Sequence, residues 1–354
     1  MTREAEPRWR KRSARFVEIA QLAGVSTTTV DRVLNERGSV SAAARERVVA
    51  AARQLGVPRL LPDPRHGLIH IDVLLPDTES PFFLRLRQAL ERSLQMLDRR
   101  VVVHRTLLAA GDDERIAKLI ERAVYRRAGL IVTARDTPRV REALSKAIER
   151  GEPVVTMVTD IGGIERVHYA GIDNQRAGRA AGYFIGRLTR QPGPVLLLCG
   201  RNDYRAHIDR MVGFRAQLAE SFPELTLVGE PIETQDRDDR CYRAVCAALD
   251  QGPLSAIYNS GGGSPGIEAA LRKFGMAGRV TWVGHEMLDV HRAYIEAGTM
   301  DIAIDQDPDG QVMSALQHLL HACGVVEQRP LGGDSVEFRV FCAANVRTSP
   351  YLQT

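Results

Sequence analysis

Two sets of residues in this chain have the types and spacing to do chemistry. The first lies in FVEIAQLAGVSTTTVDRVLN, residues 16–35. There Thr27, Thr28, Asp31 and Arg32 fall on one side of a short helical pattern, and Val30, Val33 and Leu34 fall on the other. Hydroxyls and a guanidinium on an exposed helix face can hydrogen-bond base edges and phosphates. The second set is polar and sits where apolar runs end. Thr159 and Asp160 follow VVTMV; Asn259 ends AIYN before three glycines; His285 and Glu286 follow VTWV and a glycine; Asp305 and Gln306 follow IAI. Mixed donors and acceptors with little net charge suit a neutral polyhydroxylated ligand. A purine would need more aromatic stacking and a sugar phosphate more cations.

The elements that position the first set are local. Ile19, Ala20 and Ala23 recur at helical spacing over 17–23. Gly24 supplies a residue able to take positive φ at a turn, and Ser26 is a good N-cap for the helix that follows. A third helix is expected over 42–55, capped by Ser41, with Val48, Val49, Ala52 and Leu55 inward. The result is a helix-turn-helix whose second helix is shaped for a DNA major groove. Charge agrees: residues 1–60 hold 12 Lys/Arg against 6 Asp/Glu, a balance of +6, and the remaining residues hold 36 against 38, a balance of −2. Arg8 to Arg12 read as a mobile basic arm. Pro62 and Pro64 mark 59–68 as a linker.

From residue 68 the texture alternates strand and helix. Strands are expected at 69–75, 101–107, 129–134, 154–158, 169–172, 195–199, 225–228, 256–259, 280–283 and 302–304, with helices between them and a late strand at 335–342. Continuous apolar runs such as VVTMV and VLLLC indicate parallel sheets covered on both faces. Ten strands exceed one ordinary doubly wound sheet, so two successive α/β lobes are expected, with a break near 171–175 and a loop-rich return after 302–304. In such sheets ligands bind outside the carboxyl ends of strands, where the second polar set lies.

Composition excludes several classes. The five cysteines (Cys199, Cys241, Cys246, Cys323, Cys342) are odd in number and without a Cys-x-x-Cys pair, which speaks against a disulfide framework or zinc site. No apolar run reaches the roughly 20 residues that span a bilayer, and no signal segment opens the chain, so a cytoplasmic protein is expected. Gly261 to Gly263 could imitate a phosphate loop, but the G-x-x-x-x-G-K-[ST] pattern is missing and no cofactor is expected.

VEIAQLAGVSTTTVDRVLN at 17–35, followed by VSAAARERVVAAARQLG at 40–56, resembles the lac repressor family of bacterial transcription regulators. The resemblance implies a small all-α helix-turn-helix head joined to a two-lobed α/β domain with parallel sheets, of the periplasmic sugar-binding-protein kind. The expected layout is a basic tail over 1–13, a head over 14–58, a linker over 59–68 and an effector-binding domain over 69–354. One lobe spans about 69–173 plus 303–330, the other about 174–302 plus 331–354.

Matched positions carry roles by resemblance. Thr27 and Thr28 fall on base readers and Arg32 on a groove-facing arginine. Ser26, Thr29 and Asn35 fall where polar groups reach phosphates, with capping or internal packing as the alternative for Thr29 and Asn35. Asp31 stands where the family has serine; it either pairs internally or accepts from a cytosine amine. Pro62 and Pro64 oppose the short linker helix of the family, although Leu60 or Leu61 could still wedge the minor groove. In the cleft, SPFF at 80–83 resembles a loop that stacks a phenylalanine on a sugar. Phe82 is the expected stacker, and Phe83 is a helix core residue or a second contact. Asn174, in GIDNQRAG, is an expected ligand contact. Arg210, four residues before Phe214, falls on the arginine that holds ligand hydroxyl or carboxylate groups. Thr159, Asp160, Asn259, His285, Glu286, Asp305 and Gln306 complete the set.

The implied function is a homodimeric regulator, a repressor, that reads a pseudo-palindromic operator and answers to a monosaccharide, sugar alcohol or derivative. Two alternatives are an α/β enzyme, for which His285 with Glu286 or Cys199 with His207 could be drawn as catalytic pairs, and a transport-type sugar-binding protein. No nucleophile elbow, metal spacing or dinucleotide fingerprint supports the first, and the DNA-binding head opposes the second.

Overall fold

The computed structural model of the chain describes residues 10–35, 40–55, 57, 68–98, 100–109, 111–331, 333 and 335–351. Residues 1–9 and the linker prolines Pro62 and Pro64, with Leu60 and Leu61, lie outside the described residues. The chain divides into two compact units at Leu68/Ile69.

The first unit holds three helices, α1 (Arg10–Ala23), α2 (Thr27–Leu34) and α3 (Ala42–Gln54). Helix α1 opens at Arg10, inside the stretch expected as a tail. Gly24 takes φ +63 between α1 and α2, in the left-handed region that costs a glycine little. Ile19, Ala20, Ala23, Val30, Val33, Leu34, Val48, Val49 and Ala52 close a small core on the apolar stripes of all three helices.

The second unit has two sheets. The first is wholly parallel, in the order β2-β1-β3-β4-β5, from β1 (Ile69–Asp77), β2 (Val101–Ala109), β3 (Arg127–Val132), β4 (Val154–Met157) and β5 (His168–Ala170). Helices α4 (Pro81–Leu94), α5 (Asp113–Glu121) and α6 (Pro138–Glu149) connect its strands. Helix α7 (Asn174–Leu188) leads into the second sheet, which runs β12-β11-β10-β9-β6-β7. Its strands are β6 (Pro194–Cys199), β7 (Thr226–Leu227), β8 (Ile232–Glu233, beside β6), β9 (Ala256–Asn259), β10 (Thr281–His285), β11 (Ile302–Asp305) and β12 (Arg339–Phe341). Among the described residues only β12 runs antiparallel. Helices α8 (Arg205–Ser221), α9 (Asp238–Gln251), α10 (Ser264–Lys273) and α11 (Asp289–Glu296) cover it.

Two expectations need correction. The return after β11 is not loop-rich: α12 (Pro308–Ala322) follows it and packs Val312, Ala315, Leu316 and Leu319 against Ile71, Leu86 and Leu90 of the first lobe. Pro308 and Gly310 both fall in the first turn of α12, where proline has no hydrogen bond to lose. The lobe boundary also moves. Strand β11 lies wholly in the second sheet, so the chain recrosses at Gln306–Asp307 rather than at 302–303. It crosses first at Gly171–Asp173 and last before Val336, which bridges Ile172. Helix α11 and strand β8 were not anticipated.

Helices α7 and α8 approach closely because glycines meet backbone there. A Cβ on Gly178 would lie 2.0 Å from the Arg210 carbonyl oxygen, and one on Gly213 would lie 1.9 Å from that of Gln175. This contact fixes where Arg210 enters the cleft.

Candidate functional site

On the head, Ser26 caps α2: its Oγ accepts from the Thr29 amide at 3.1 Å and pairs with Thr29 Oγ1 at 2.9 Å. Asn35 Nδ2 donates to Asp31 Oδ1 at 2.7 Å. The carboxylate that departs from the family pattern is therefore held internally, one helical turn away. Thr27, Thr28 and Arg32 are exposed together on α2. Ser26, Thr29 and Asn35 stand beside them as a supporting network, and the α2 amino terminus adds a positive dipole end.

In the second unit the polar set gathers around Arg210, on the second lobe beside the crossings. This residue is 3 % exposed, and its guanidinium donates to Asn174 Oδ1 at 2.8 Å, the Ser260 carbonyl at 2.8 Å and Gln306 Oε1 at 2.5 Å. Gln306 passes the contact on, its Nε2 donating to Glu286 Oε1. Asn174 also donates to the Tyr169 hydroxyl at 3.0 Å and to the Ile172 carbonyl at 3.2 Å. Four expected residues, Asn174, Arg210, Glu286 and Gln306, thus form one hydrogen-bonded chain across the two crossings. Asp305 joins from the side. It accepts from the amides of Met287 at 2.9 Å and Asp307 at 3.3 Å, and from Arg85, whose Nη1 reaches Oδ1 at 2.5 Å. Arg85 Nη1 also lies 3.7 Å from Glu286 Oε2.

Sequence reasoning missed Arg85. It sits on α4 among Arg87 and Arg92, and nothing in their spacing singles it out.

The remaining expected residues are placed as follows. His285 Nε2 lies 2.8 Å from the Tyr258 hydroxyl. Thr159 Oγ1 accepts from the Ala206 amide at 3.3 Å, linking the lobes. Asp160 is engaged within its own lobe, with Thr156 at 2.9 Å and Arg166 at 2.6 Å. Asn259 turns onto the glycine run, donating to the Gly262 carbonyl at 2.8 Å. Phe82 packs into the first lobe's core with Leu86 and Met157, so the stacking role expected of it is not supported by its position. Phe83, edge-on to Phe82 at 5.2 Å, is half-buried and is the more available ring.

Burial dominates the electrostatics. It pushes the Glu286 carboxyl up to about 7, with the neighbouring Asp305 adding to the rise. Burial drives His285 well below its ordinary value and His207 and His291 down to about 4, so all three imidazoles are neutral at pH 7. His291 Nδ1 must donate to the Glu286 carbonyl at 2.6 Å, which leaves Nε2 to accept from Ser264 at 2.7 Å. Glu286 itself has φ +70, and Val158 and Asp307, at the ends of β4 and β11, have φ +69 and +52. Strained backbone at strand ends is a mark of functional sites. Four buried polar atoms here, His207 Nδ1, Ser260 Oγ, His285 Nδ1 and Glu286 Oε2, have no hydrogen-bond partner among the described residues. The lobes are further joined by Arg135 and Asp203 at 3.0 Å, and a small cavity of about 10 Å³ lies beside Tyr204.

Neither catalytic pairing drawn from the sequence gains support. Burial pushes the Cys199 thiol up to about 12, and it donates to Asn202 Oδ1 rather than to His207. His285 is paired with Tyr258, and Glu286 with Gln306. Among the described residues no group of three or more His, Cys, Asp or Glu is placed to hold a metal ion, and no helix is long and apolar enough to cross a membrane.

A helix-turn-helix head followed by a two-lobed domain with polar groups converging on its cleft defines a ligand-responsive regulator class. The chain belongs to the lacI family of bacterial regulatory proteins, whose head matches residues 16–57, and carries a periplasmic binding protein domain over residues 71–324. It is similar to the HTH-type transcriptional regulator reg1 of Streptomyces lividans, at 31 % identity over 40 % of this chain and 42 % of that protein. The ribose operon repressor of Halalkalibacterium halodurans is 40 % identical over 21 % of this chain and 23 % of its own. These alignments span less than half of either relative. In fold, the second unit is similar to GanP, a glucose-galactose binding protein from Geobacillus stearothermophilus (TM-score 0.69, 18 % identity, 79 % of this chain and 99 % of that one).

Proposed function

We propose that this protein is a transcription repressor whose operator affinity is set by a small sugar-like effector bound between the lobes, and that it acts as a homodimer on a pseudo-palindromic operator. The observation that carries the reading is the Asn174–Arg210–Gln306–Glu286 chain. It binds the second lobe's residues to both crossings and, through Asn174, to the Tyr169 hydroxyl of the first lobe, so a ligand that replaces any link changes the relative stability of open and closed arrangements. A ligand shifts operator binding only by its differential affinity for those arrangements. Thr27, Thr28 and Arg32 are the base-reading candidates, and two heads would read two half-sites. The named relatives support the reading: one represses a ribose operon and the fold neighbour binds glucose and galactose.

The test is selection of binding duplexes from a random pool by the purified chain, followed by titration of the selected duplex with sugars. A two-fold-related consensus whose binding falls as one sugar is added is the expected result. A consensus without two-fold symmetry, or binding indifferent to every sugar and sugar derivative, would sink the corresponding half of the proposal.

A further inference from the structure

We propose that Arg85 is a specificity-determining residue of the cleft, and that the effector it selects is a sugar acid, a polyhydroxylated ligand bearing a carboxylate. The inference rests on the reading that the cleft takes a sugar-like effector and names its class.

Arg85 rises from α4 in the first lobe, two residues beyond Phe83. Its hydrogen bonds go to Asp305, and its second acidic neighbour is Glu286. Both acids belong to the opposite lobe. The arrangement is unequal. When the lobes part, Asp305 keeps the amides of Met287 and Asp307, and Glu286 keeps Gln306. Arg85 keeps neither acid. It becomes a guanidinium fork facing the open cleft, a geometry that matches a planar carboxylate.

Arg210 adds a second cation. Its three acceptors, Asn174 Oδ1, the Ser260 carbonyl and Gln306 Oε1, are all uncharged, so among the described residues no anion touches this buried charge. A buried guanidinium without a contacting anion is costly and is relieved by an incoming one. The acids do not bar the guest. Asp305 retains the amides of Met287 and Asp307 around its carboxylate. Glu286, whose Oε2 accepts no hydrogen bond, can hold a proton near neutral pH and donate it to a ligand carboxylate. The sequence displayed one buried cation and so suggested a neutral ligand; the fold brings in a second.

The experiment is calorimetric titration of the full chain with matched pairs of hexoses and pentoses and their uronic and aldonic acids, with sugar phosphates as a third series. It is repeated on Arg85→Gln, with an unchanged melting transition of the second unit as the check that the variant is folded. The expected result is that an acid binds at least tenfold tighter than its neutral parent, and that Arg85→Gln abolishes that preference. A neutral sugar bound equally well by both proteins would overturn the inference and leave the sugar-responsive reading intact. Binding confined to sugar phosphates would overturn the carboxylate assignment. Binding of nothing in any series would remove both the inference and the reading it rests on.

Discussion

Replacing Gly213 by alanine should disable effector sensing from a position that touches no ligand. The added Cβ would lie 1.9 Å from the Gln175 carbonyl oxygen and 3.1 Å from the Arg179 amide nitrogen, both on α7. Ordinary van der Waals contact begins near 3.4 Å, so α8 must move from α7 by roughly 1.5 Å. Arg210 sits on α8 one turn earlier, and its bond to Asn174 at the head of α7 is 2.8 Å long. Displacement by that amount takes it beyond hydrogen-bond range. Overpacking of this kind costs about 1–3 kcal/mol, and loss of a charged hydrogen bond about 1.5–3 kcal/mol. Partial relaxation brings the sum to about 2–4 kcal/mol, or roughly 3–7 °C in the melting temperature of a unit this size. Differential scanning calorimetry reads the first effect, and effector-induced release of operator DNA the second. The head's core shares no residue with this contact, so operator binding without effector should persist. Gly229→Ala is the control: it has φ +62 but nothing within 4 Å of the new Cβ, so it carries backbone strain alone. If Gly213→Ala melts and responds like Gly229→Ala, the account of how Arg210 is positioned is wrong.

Three further outcomes are expected. Glu286 binds its proton more tightly when folded, so its contribution favours the folded state at low pH and is lost as pH rises through about 7; Glu286→Gln should flatten the fall in melting temperature between pH 5 and 8, and an unchanged profile would place the carboxyl elsewhere. Arg32→Ala should weaken operator binding by about 1–3 kcal/mol while the effector unit binds ligand as before, and equal loss of both in titrations would make the residue structural. Ser26→Ala removes the α2 cap and should lower the stability of the head by about 1 kcal/mol, read by urea unfolding of the head's helical signal.

The head was legible in the sequence because everything that shapes it is near in the chain. Ser26, Thr29, Asp31 and Asn35 satisfy one another within ten residues, and the apolar stripes of three short helices point to a single small core. The strands of both lobes were legible as apolar runs, and Arg210 and Asn174 through their family motifs. What escaped depends on distance. Arg85, Arg87 and Arg92 share one helix, yet one reaches Asp305, one the Thr78 carbonyl and one Asp309. Two of those partners lie more than two hundred residues on, and no local pattern distinguishes them. Phe82 looked like a stacking ring because its neighbours resemble a sugar-binding loop, but core packing claimed it. Helix α12 was hidden by Pro308 and Gly310 in its first turn, and its apolar face could be assigned only by knowing which lobe it returns to.

That return has a consequence during synthesis. The first lobe's sheet is complete at Ala170, but its core includes Val312, Ala315, Leu316 and Leu319, which leave the ribosome only after the whole second sheet up to β11. The head finishes at residue 57. At about 5–20 residues per second, roughly 13–50 s separate the folding of the head from the arrival of α12. For that interval a nascent chain carries a finished DNA-reading surface and a sensor that cannot close its core. A chain arrested before residue 308 should therefore show a protease-resistant head and a protease-sensitive first lobe, and a regulator made in this order can dock on DNA before it is able to answer a signal.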